Sequence, residues 1–374
     1  MIINIDRKGT MQGFEKAIQT TLQNTSVNCL LILSCDANNF TPEVIDPVLK
    51  RIEVPIFGGI FPVIIHGKEK MDLGTIIIGL SSRVEIAPIN RLSDNTADYI
   101  TQIDEKISEF DQINTIFVFV DGFSRCISSF ISSMFSVFGL ECNYIGGGAG
   151  SLSMVQKPCL FTNEGLLQDG AVMALLKPSS GIGVSHGWES ISGPYRVTEA
   201  DHNIIRSLDW EPAFEVYRKI ILEHSGAQIL KEKFFDIAKA YPFGIAKLEA
   251  ERVVRDPLML SDDDAIVCVG EVPEGSFVDV LNGDAESLIA AAGRARQLSL
   301  ESFPKQSNPE IVFFIDCISR VLFLEEKFSL EIDAVWSADQ PLVGACTIGE
   351  IANSGRDYLE FYNKTSVVAF LEDM

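Results

Sequence analysis

A handful of short stretches in this chain set reactive or ligand-holding residue types beside apolar runs. Gly146, Gly147, Gly148 and Gly150 follow one such run, with Ala149 among them. Glycines there let backbone N–H groups close on a ligand, above all an anion, or supply a turn with positive φ. The stretch lacks the Gly-Lys-Ser/Thr ending or the Gly-x-Gly-x-x-Gly helix entry of a nucleotide site. His186 is one of four histidines and stands one residue from Trp188. Its imidazole could ligate a haem iron, donate to a carboxylate or act as a base; a hydrogen-bonded structural histidine is the plainer alternative. Arg255 precedes Asp256 and Pro257 at a strand end. A guanidinium there suits bidentate capture of a carboxylate, or a local salt bridge. Cys317 and Arg320 stand just past an apolar strand, where α/β proteins gather ligands. The thiol is nucleophilic only if its pKa is depressed. Glu350 offers a lone carboxylate after Gly349. The run Asp262, Asp263, Asp264 lacks an EF-hand loop with its terminal Glu, and reads as a solvated turn.

The elements that carry these residues follow one pattern three times. An apolar run ends in Asp (31–36, 116–121, 311–316), a helical stretch follows, an apolar residue leads into Gly (55–59, 143–148, 341–345), and a later strand closes the unit (74–80, 170–176, 365–371). Asp121-Gly122-Phe123-Ser124-Arg125 matches Asp316-Cys317-Ile318-Ser319-Arg320 past the strand. Such self-similarity implies duplication, with the Gly-rich points equivalent in one architecture. Each copy is expected to be preceded by its own strand and helix. Strands at 1–6, 84–89 and 276–281 lead into helix faces of Met11, Phe14, Ile18 and Leu22, of Ile100, Ile103, Ile107 and Phe110, and of Leu288, Ala291, Ala292, Ala295 and Leu298. The module is then β-α-β-α-β-β. Ser124 is the expected N-cap and Gly139 the stop of the helix inside the second copy, with Ile127, Phe130, Ile131, Met134 and Phe138 as its apolar stripe. Residues 181–272 read as an eroded fourth copy with a helix starting near Pro212. The expected fold is mixed α/β, with duplicated modules, mixed sheets and two closely packed halves. The repeats put the division near residue 180.

The 374 residues carry a net charge of −22, spread along the chain. That surface repels phosphates and anionic lipid, so neither nucleic acid nor a membrane is an expected partner. No apolar run approaches the length of a membrane span, and the N-terminus reads as a strand and not as a signal peptide. Eight cysteines without a Cys-x-x-Cys pair suit reduced thiols in a cytoplasmic protein and exclude ribbon-type zinc. No nucleophile–base–orienter set is visible, so the chain is expected not to be an enzyme; hydrolysis through Cys317 or His186 is kept as an alternative.

Several stretches, in order, resemble the FIST family of intracellular sensory domains: Tyr144 to Gly150, Gly183-Val184-Ser185-His186-Gly187-Trp188, Gly193-Pro194, Val197-Thr198, Pro242-Phe243-Gly244-Ile245, Val254-Arg255-Asp256-Pro257, Val272-Pro273-Glu274-Gly275, Cys317-Ile318-Ser319-Arg320, Gly349-Glu350 and Asn363-Lys364-Thr365. The resemblance covers both FIST parts and places the domains at 1–208 and 209–374. It implies a cytoplasmic input domain for a small ligand, amino-acid-like or carboxylate-bearing, with no cofactor. The alternative it implies is a haem-binding nitric-oxide sensor using His186. It also implies a separate histidine kinase, cyclic-dinucleotide enzyme or chemotaxis transducer as partner, since no output domain is recognisable here. The expected ligand-binding set is Gly146, Gly147, Gly148, Gly150, His186, Trp188, Arg255, Cys317, Arg320 and Glu350, with no metal. The chain departs from the family pattern in carrying Asp316 where a small residue such as Ser is expected.

Overall fold

The computed structural model describes residues 1–107, 112–247, 252–353 and 359–374. Its first module runs β1 (Ile2–Asp6), α1 (Met11–Leu22), β2 (Cys29–Cys35), α2 (Pro42–Leu49), β3 (Ile56–Phe61), a hairpin of β4 (Val63–His66) and β5 (Glu69–Met71), and β6 (Thr75–Leu80). The second runs β7 (Val84–Asn90), α3 (Tyr99–Lys106), β8 (Thr115–Asp121), α4 (Ile127–Phe138), β9 (Asn143–Ala149), a hairpin of β10 (Leu160–Thr162) and β11 (Gly165–Leu167), and β12 (Gly170–Leu176).

The third module opens with β13 (Ser180–Ser185) and is then interrupted. An inserted unit follows: β14 (Glu189–Asp201), β15 (Ile204–Leu208), β16 (Glu211–Pro212), α5 (Ala213–Ser225), α6 (Phe234–Ala238), β17 (Phe243–Ile245), β18 (Val253–Leu260), β19 (Ile266–Val269) and β20 (Phe277–Asn282). The module resumes with α7 (Ala285–Ser302), β21 (Ile311–Cys317), α8 (Ile318–Leu324), α9 (Phe328–Val335), β22 (Leu342–Thr347), a hairpin of β23 (Glu350–Ala352) and β24 (Glu360–Tyr362), and β25 (Ser366–Leu371).

The mixed α/β class holds, and the three module sheets share one strand order. In each, the central strand (β2, β8, β21) runs parallel to the next strand (β3, β9, β22) and antiparallel to the closing strand (β6, β12, β25). The opening strand lies outside the closing one. Each hairpin leaves its own module. The first module's β4–β5 extends the edge at β22, the third's β23–β24 extends the edge at β9, and the second's β10–β11 extends the edge at β3. The three donations close a ring, and each module's edge strand is covered by a neighbour.

Both faces of these sheets are covered, which explains why the central strands are apolar throughout and fully buried. Inner faces meet around Phe57, Phe117, Phe119 and Phe313, with the Phe117 and Phe313 rings 5.1 Å apart and edge-on. The outer face of the second sheet packs on α3 and α4, and that of the third on α7 and α9. One glycine per module is forced by the parallel pairing. A Cβ on Gly58, Gly146 or Gly344 would stand 1.9, 1.7 or 1.9 Å from the carbonyl oxygen of Ile32, Val118 or Phe314 on the central strand.

Several expectations are corrected here. Residues 181–272 are not a fourth copy. β13 is the opening strand of the third module, paired along its length with β25, and the residues after it form a separate, wholly antiparallel seven-stranded sheet. The segment 276–281 therefore does not open the third module: β20 pairs with β14 and β17 inside the inserted sheet. Its helix α7 instead packs on β13 across the insertion, where Gly181 and Gly183 let the helix backbone approach. The hairpin also adds two strands to the expected β-α-β-α-β-β module. Gly146, Gly147 and Gly148 lie within β9 rather than in a turn. The α4 helix starts after Ser124, with Cys126 at the N-cap; Ser124 Oγ donates to Asp169 Oδ1 at 2.9 Å instead. On α3, Tyr99 and Ile103 are buried while Ile100 faces out. Phe110 lies outside the described residues.

Candidate functional site

Most of the residues singled out in the sequence do come together, but inside the protein. Arg320 is completely buried at the start of α8. Its Nε lies 3.0 Å from Glu331 Oε1 and 3.1 Å from Asp316 Oδ1. Nη1 donates to the carbonyls of His186 (2.7 Å) and Lys364 (3.1 Å), and Nη2 to the Leu288 carbonyl (2.9 Å) and to Glu331. All five N–H donors of the guanidinium are thus placed. Burial first, and Glu331 next, push Asp316 well above the usual carboxylate range. Burial raises Glu331 too, and the Ser366 hydroxyl lies within hydrogen-bond distance of both acids, 3.0 Å from Asp316 Oδ1 and 3.2 Å from Glu331 Oε1. Both acids are thus pushed toward their neutral forms by burial, and the Arg320 guanidinium opposes that push on each.

The neighbours of this centre are equally enclosed. The His186 Nδ1 accepts the Trp188 N–H at 2.9 Å, so the ring is the Nε2–H tautomer. Burial, then Arg320, push its pKa down to about 3. Trp188 Nε1 donates to the Lys364 carbonyl at 3.1 Å, and the Lys364 ammonium reaches Asp256 at 3.1 Å and the Lys239 carbonyl at 2.9 Å. Glu350 accepts from Thr347 Oγ1 and the Thr365 N–H, and burial lifts it to about 8. Burial pushes the Cys317 thiol far above its ordinary range, the wrong direction for a nucleophile. His186 is 5 % exposed and borders neither of the two clefts described below. Among the described residues no group of three or more His, Cys, Asp or Glu could hold a metal ion.

Arg255 sits apart, where β18 meets β24. Its guanidinium donates to three carbonyls, those of Glu271 (2.8 Å), Val254 (3.0 Å) and Phe361 (2.8 Å). The acids expected to meet the arginines are used elsewhere: Asp256 pairs with Lys364, and Glu331 and Asp316, not Glu350, pair with Arg320. Among the described residues, neither arginine borders either of the two clefts described below.

Two clefts open at the ends of the central strands. The smaller, about 180 Å³, lies beyond β2 and is bordered by Asp36, Phe40, Gly150, Ser151 and Lys157. The larger, about 1140 Å³, lies between the second module and the inserted sheet. One wall is the segment from Gly122 to Ser129 with Arg91, Ser93, Asp94, Tyr99 and Asp169; the other is His202, Asn203 and the stretch from Val267 to Glu271; Ile348 and Phe361 of the donated segment border it as well. Arg91 pairs with Asp94. Asp121, buried at the end of β8, fixes this wall by accepting from the Phe123 and Asp169 N–H groups and the Gln156 amide. Asp94, Asp169 and Glu271 all border this cleft, and burial raises the Cys126 thiol beside them, opposed by a Tyr99 hydrogen bond. Hydroxyls, a guanidinium and carboxylates on opposed walls are the equipment of a ligand-binding protein.

Comparison with known families agrees with that class. Residues 29–211 match the FIST N domain and residues 213–353 the FIST C domain. The chain belongs to the FIST family, whose domains are sensory domains of signal-transduction proteins. No curated protein matches the chain. The two matched regions meet inside the inserted sheet, between β16 and α5. No helix of the described residues is long and apolar enough to cross a membrane.

Sequence reasoning missed the larger cleft. Arg125, Cys126, Ser128, Ser129, Asp169 and Glu271 carry no motif of their own. The one available signal was the match of residues 121–125 to residues 316–320, which ties Arg125 to Arg320.

Proposed function

We propose that this chain is a cytoplasmic sensory unit whose ligand occupies the cleft between the second module and the inserted sheet. Occupancy is relayed to a separate signalling protein, of the kind represented by histidine kinases, cyclic-dinucleotide enzymes and chemotaxis transducers. The observation that carries this reading is the cleft of about 1140 Å³ between two structural units, the size and placement of a small-molecule site. The ligand class is amino-acid-like: a carboxylate faces Arg125, and an ammonium faces the cleft-lining acids Asp94, Asp169 and Glu271. His186, Trp188, Cys317, Arg320 and Glu350 act on this reading as a buried strut that fixes the inserted sheet to the third module. No cofactor takes part.

The test is native mass spectrometry of the purified protein for a co-purified small molecule, followed by calorimetric titration of an amino-acid panel. Ser129→Trp, at an exposed position on the cleft wall, sets a bulky indole at the cleft. It is expected to abolish binding and leave the melting temperature unchanged. Undiminished binding by Ser129→Trp places the ligand elsewhere and overturns the proposal.

A further inference from the structure

The third module shows what the second lacks. After the central strand of each, the same pattern ends in arginine: Asp121-Gly122-Phe123-Ser124-Arg125 and Asp316-Cys317-Ile318-Ser319-Arg320. In the third module the guanidinium is met by a carboxylate from the helix after its own, Glu331 of α9, and both side chains are fully buried. In the second module the corresponding helix, α4, reads Ile-Ser-Ser-Phe-Ile-Ser-Ser-Met-Phe-Ser-Val-Phe and has no charged residue at all. Arg125 is exposed, lines the large cleft and has no ion pair or side-chain hydrogen bond among the described residues, while its backbone N–H is held by Ser93 Oγ at 3.1 Å. An arginine without a carboxylate is notable in a chain with 52 acids against 30 bases. The other arginine of the lining, Arg91, has its acid in Asp94.

We infer that Arg125 is the anchor for the carboxylate of the cleft ligand, which takes the place that Glu331 holds on Arg320 within the third module. The inference rests on the proposed ligand cleft and names the group that selects its occupant. A planar guanidinium matches a carboxylate through two parallel N–H donors, whereas a neutral amide offers it one acceptor and no charge. Specificity for a free carboxylate over the matching amide is therefore set at Arg125, and the acids near Cys126 contribute nothing to that distinction.

Two measurements test this. In the first, arginines of the intact protein are labelled with phenylglyoxal and read by peptide mass spectrometry. Arg125 is expected to label and Arg320 to resist; millimolar acetate or an L-amino acid should protect Arg125, and acetamide or the amino-acid amide should not. Labelling of Arg125 that ignores carboxylates, or an Arg125 that resists labelling in their absence, overturns the assignment. In the second, Arg125→Ala is expected to weaken binding of the amino-acid panel at least tenfold and to remove the preference for acid over amide, with Arg125→Lys restoring part of each. If Ser129→Trp abolishes binding while Arg125→Ala keeps full affinity and preference, the cleft stands and the anchor is wrong. If both variants bind as wild type does, the cleft itself is wrong.

Discussion

Arg320→Met is the sharpest probe of the buried strut. The wild-type guanidinium is fully buried and, through hydrogen bonds and ion pairs, holds five chain segments: the residue after β13 through the His186 carbonyl, α7 through Leu288, the 363–365 segment through Lys364, α9 through Glu331 and β21 through Asp316. Methionine fills much of the space but removes the charge and every donor. Asp316 and Glu331 are then left buried with no cation beside them. Removing one partner of a buried ion pair costs about 3–5 kcal/mol. The deficit should grow with pH, since the acids can meet the loss only by binding protons. Arg320→Met/Glu331→Gln removes the stranded charge and should be more stable than the two single losses predict, with a coupling of about 1–3 kcal/mol, the range for residues in one network. Arg320→Lys should not rescue, because an ammonium has three donors for five acceptors. The assay is equilibrium urea denaturation of the four variants, with unchanged m-values as the check that the folded state is intact. A cost for Arg320→Met below about 1 kcal/mol, the range of an exposed pair, or strictly additive double-mutant energies, would refute the reasoning.

Two further outcomes follow from the same interior. Burial lifts Glu350 from the ordinary 4.5 to about 8, so the folded protein holds a proton that the unfolded chain has lost. Its contribution is therefore fully present below pH 4.5 and is lost as pH rises toward 8. Glu350→Gln should gain on wild type by up to about 1.4 kcal/mol per pH unit across that window, read by urea denaturation at several pH values; a pH-independent difference would contradict it. Gly146→Ala and Gly344→Ala drive a Cβ to within 2 Å of the Val118 and Phe314 carbonyls and should each cost about 1–3 kcal/mol or prevent folding. Gly226→Ala, where nothing lies within 4 Å, should lose only the left-handed preference, about 1 kcal/mol, by thermal melting.

Much of the module was legible because its central strands are covered on both faces. The run Ile311-Val312-Phe313-Phe314-Ile315-Asp316 can only be a buried strand, and the glycine that follows each helix is demanded by backbone approach, which sequence records directly. The hairpin exchange was not legible. β4 and β5 look like any local hairpin, and nothing in their sequence says that their partner is β22, more than 250 residues away. The insertion was hidden for the same reason: β13 and α7 are one structural step apart but separated by the whole inserted sheet, so in the sequence β20, the nearest strand before α7, reads as its mate. The buried cluster was found because its residues are chemically conspicuous. The large cleft is walled by serines, strand ends and an arginine that has no ion pair among the described residues, types that sequence offers by the dozen.

The ring and the insertion divide the labour of sensing. Each module edge is completed by two strands from a neighbour, so the three sheets cannot shear past one another without breaking ladder hydrogen bonds. The inserted sheet is hydrogen-bonded into none of those ladders. Side-chain groups fasten it to the ring: Arg255 to the Phe361 carbonyl of β24, and Asp256 to Lys364. Phe361 itself borders the large cleft, and Lys364 is the residue whose carbonyl both Arg320 and Trp188 hold. A ligand that draws the two walls together therefore presses on the short segment through which the buried cluster grips the inserted sheet. On the proposed reading, the rigid ring supplies Arg125 and the first wall, the inserted sheet supplies the second, and the change a partner protein reads is the angle between them.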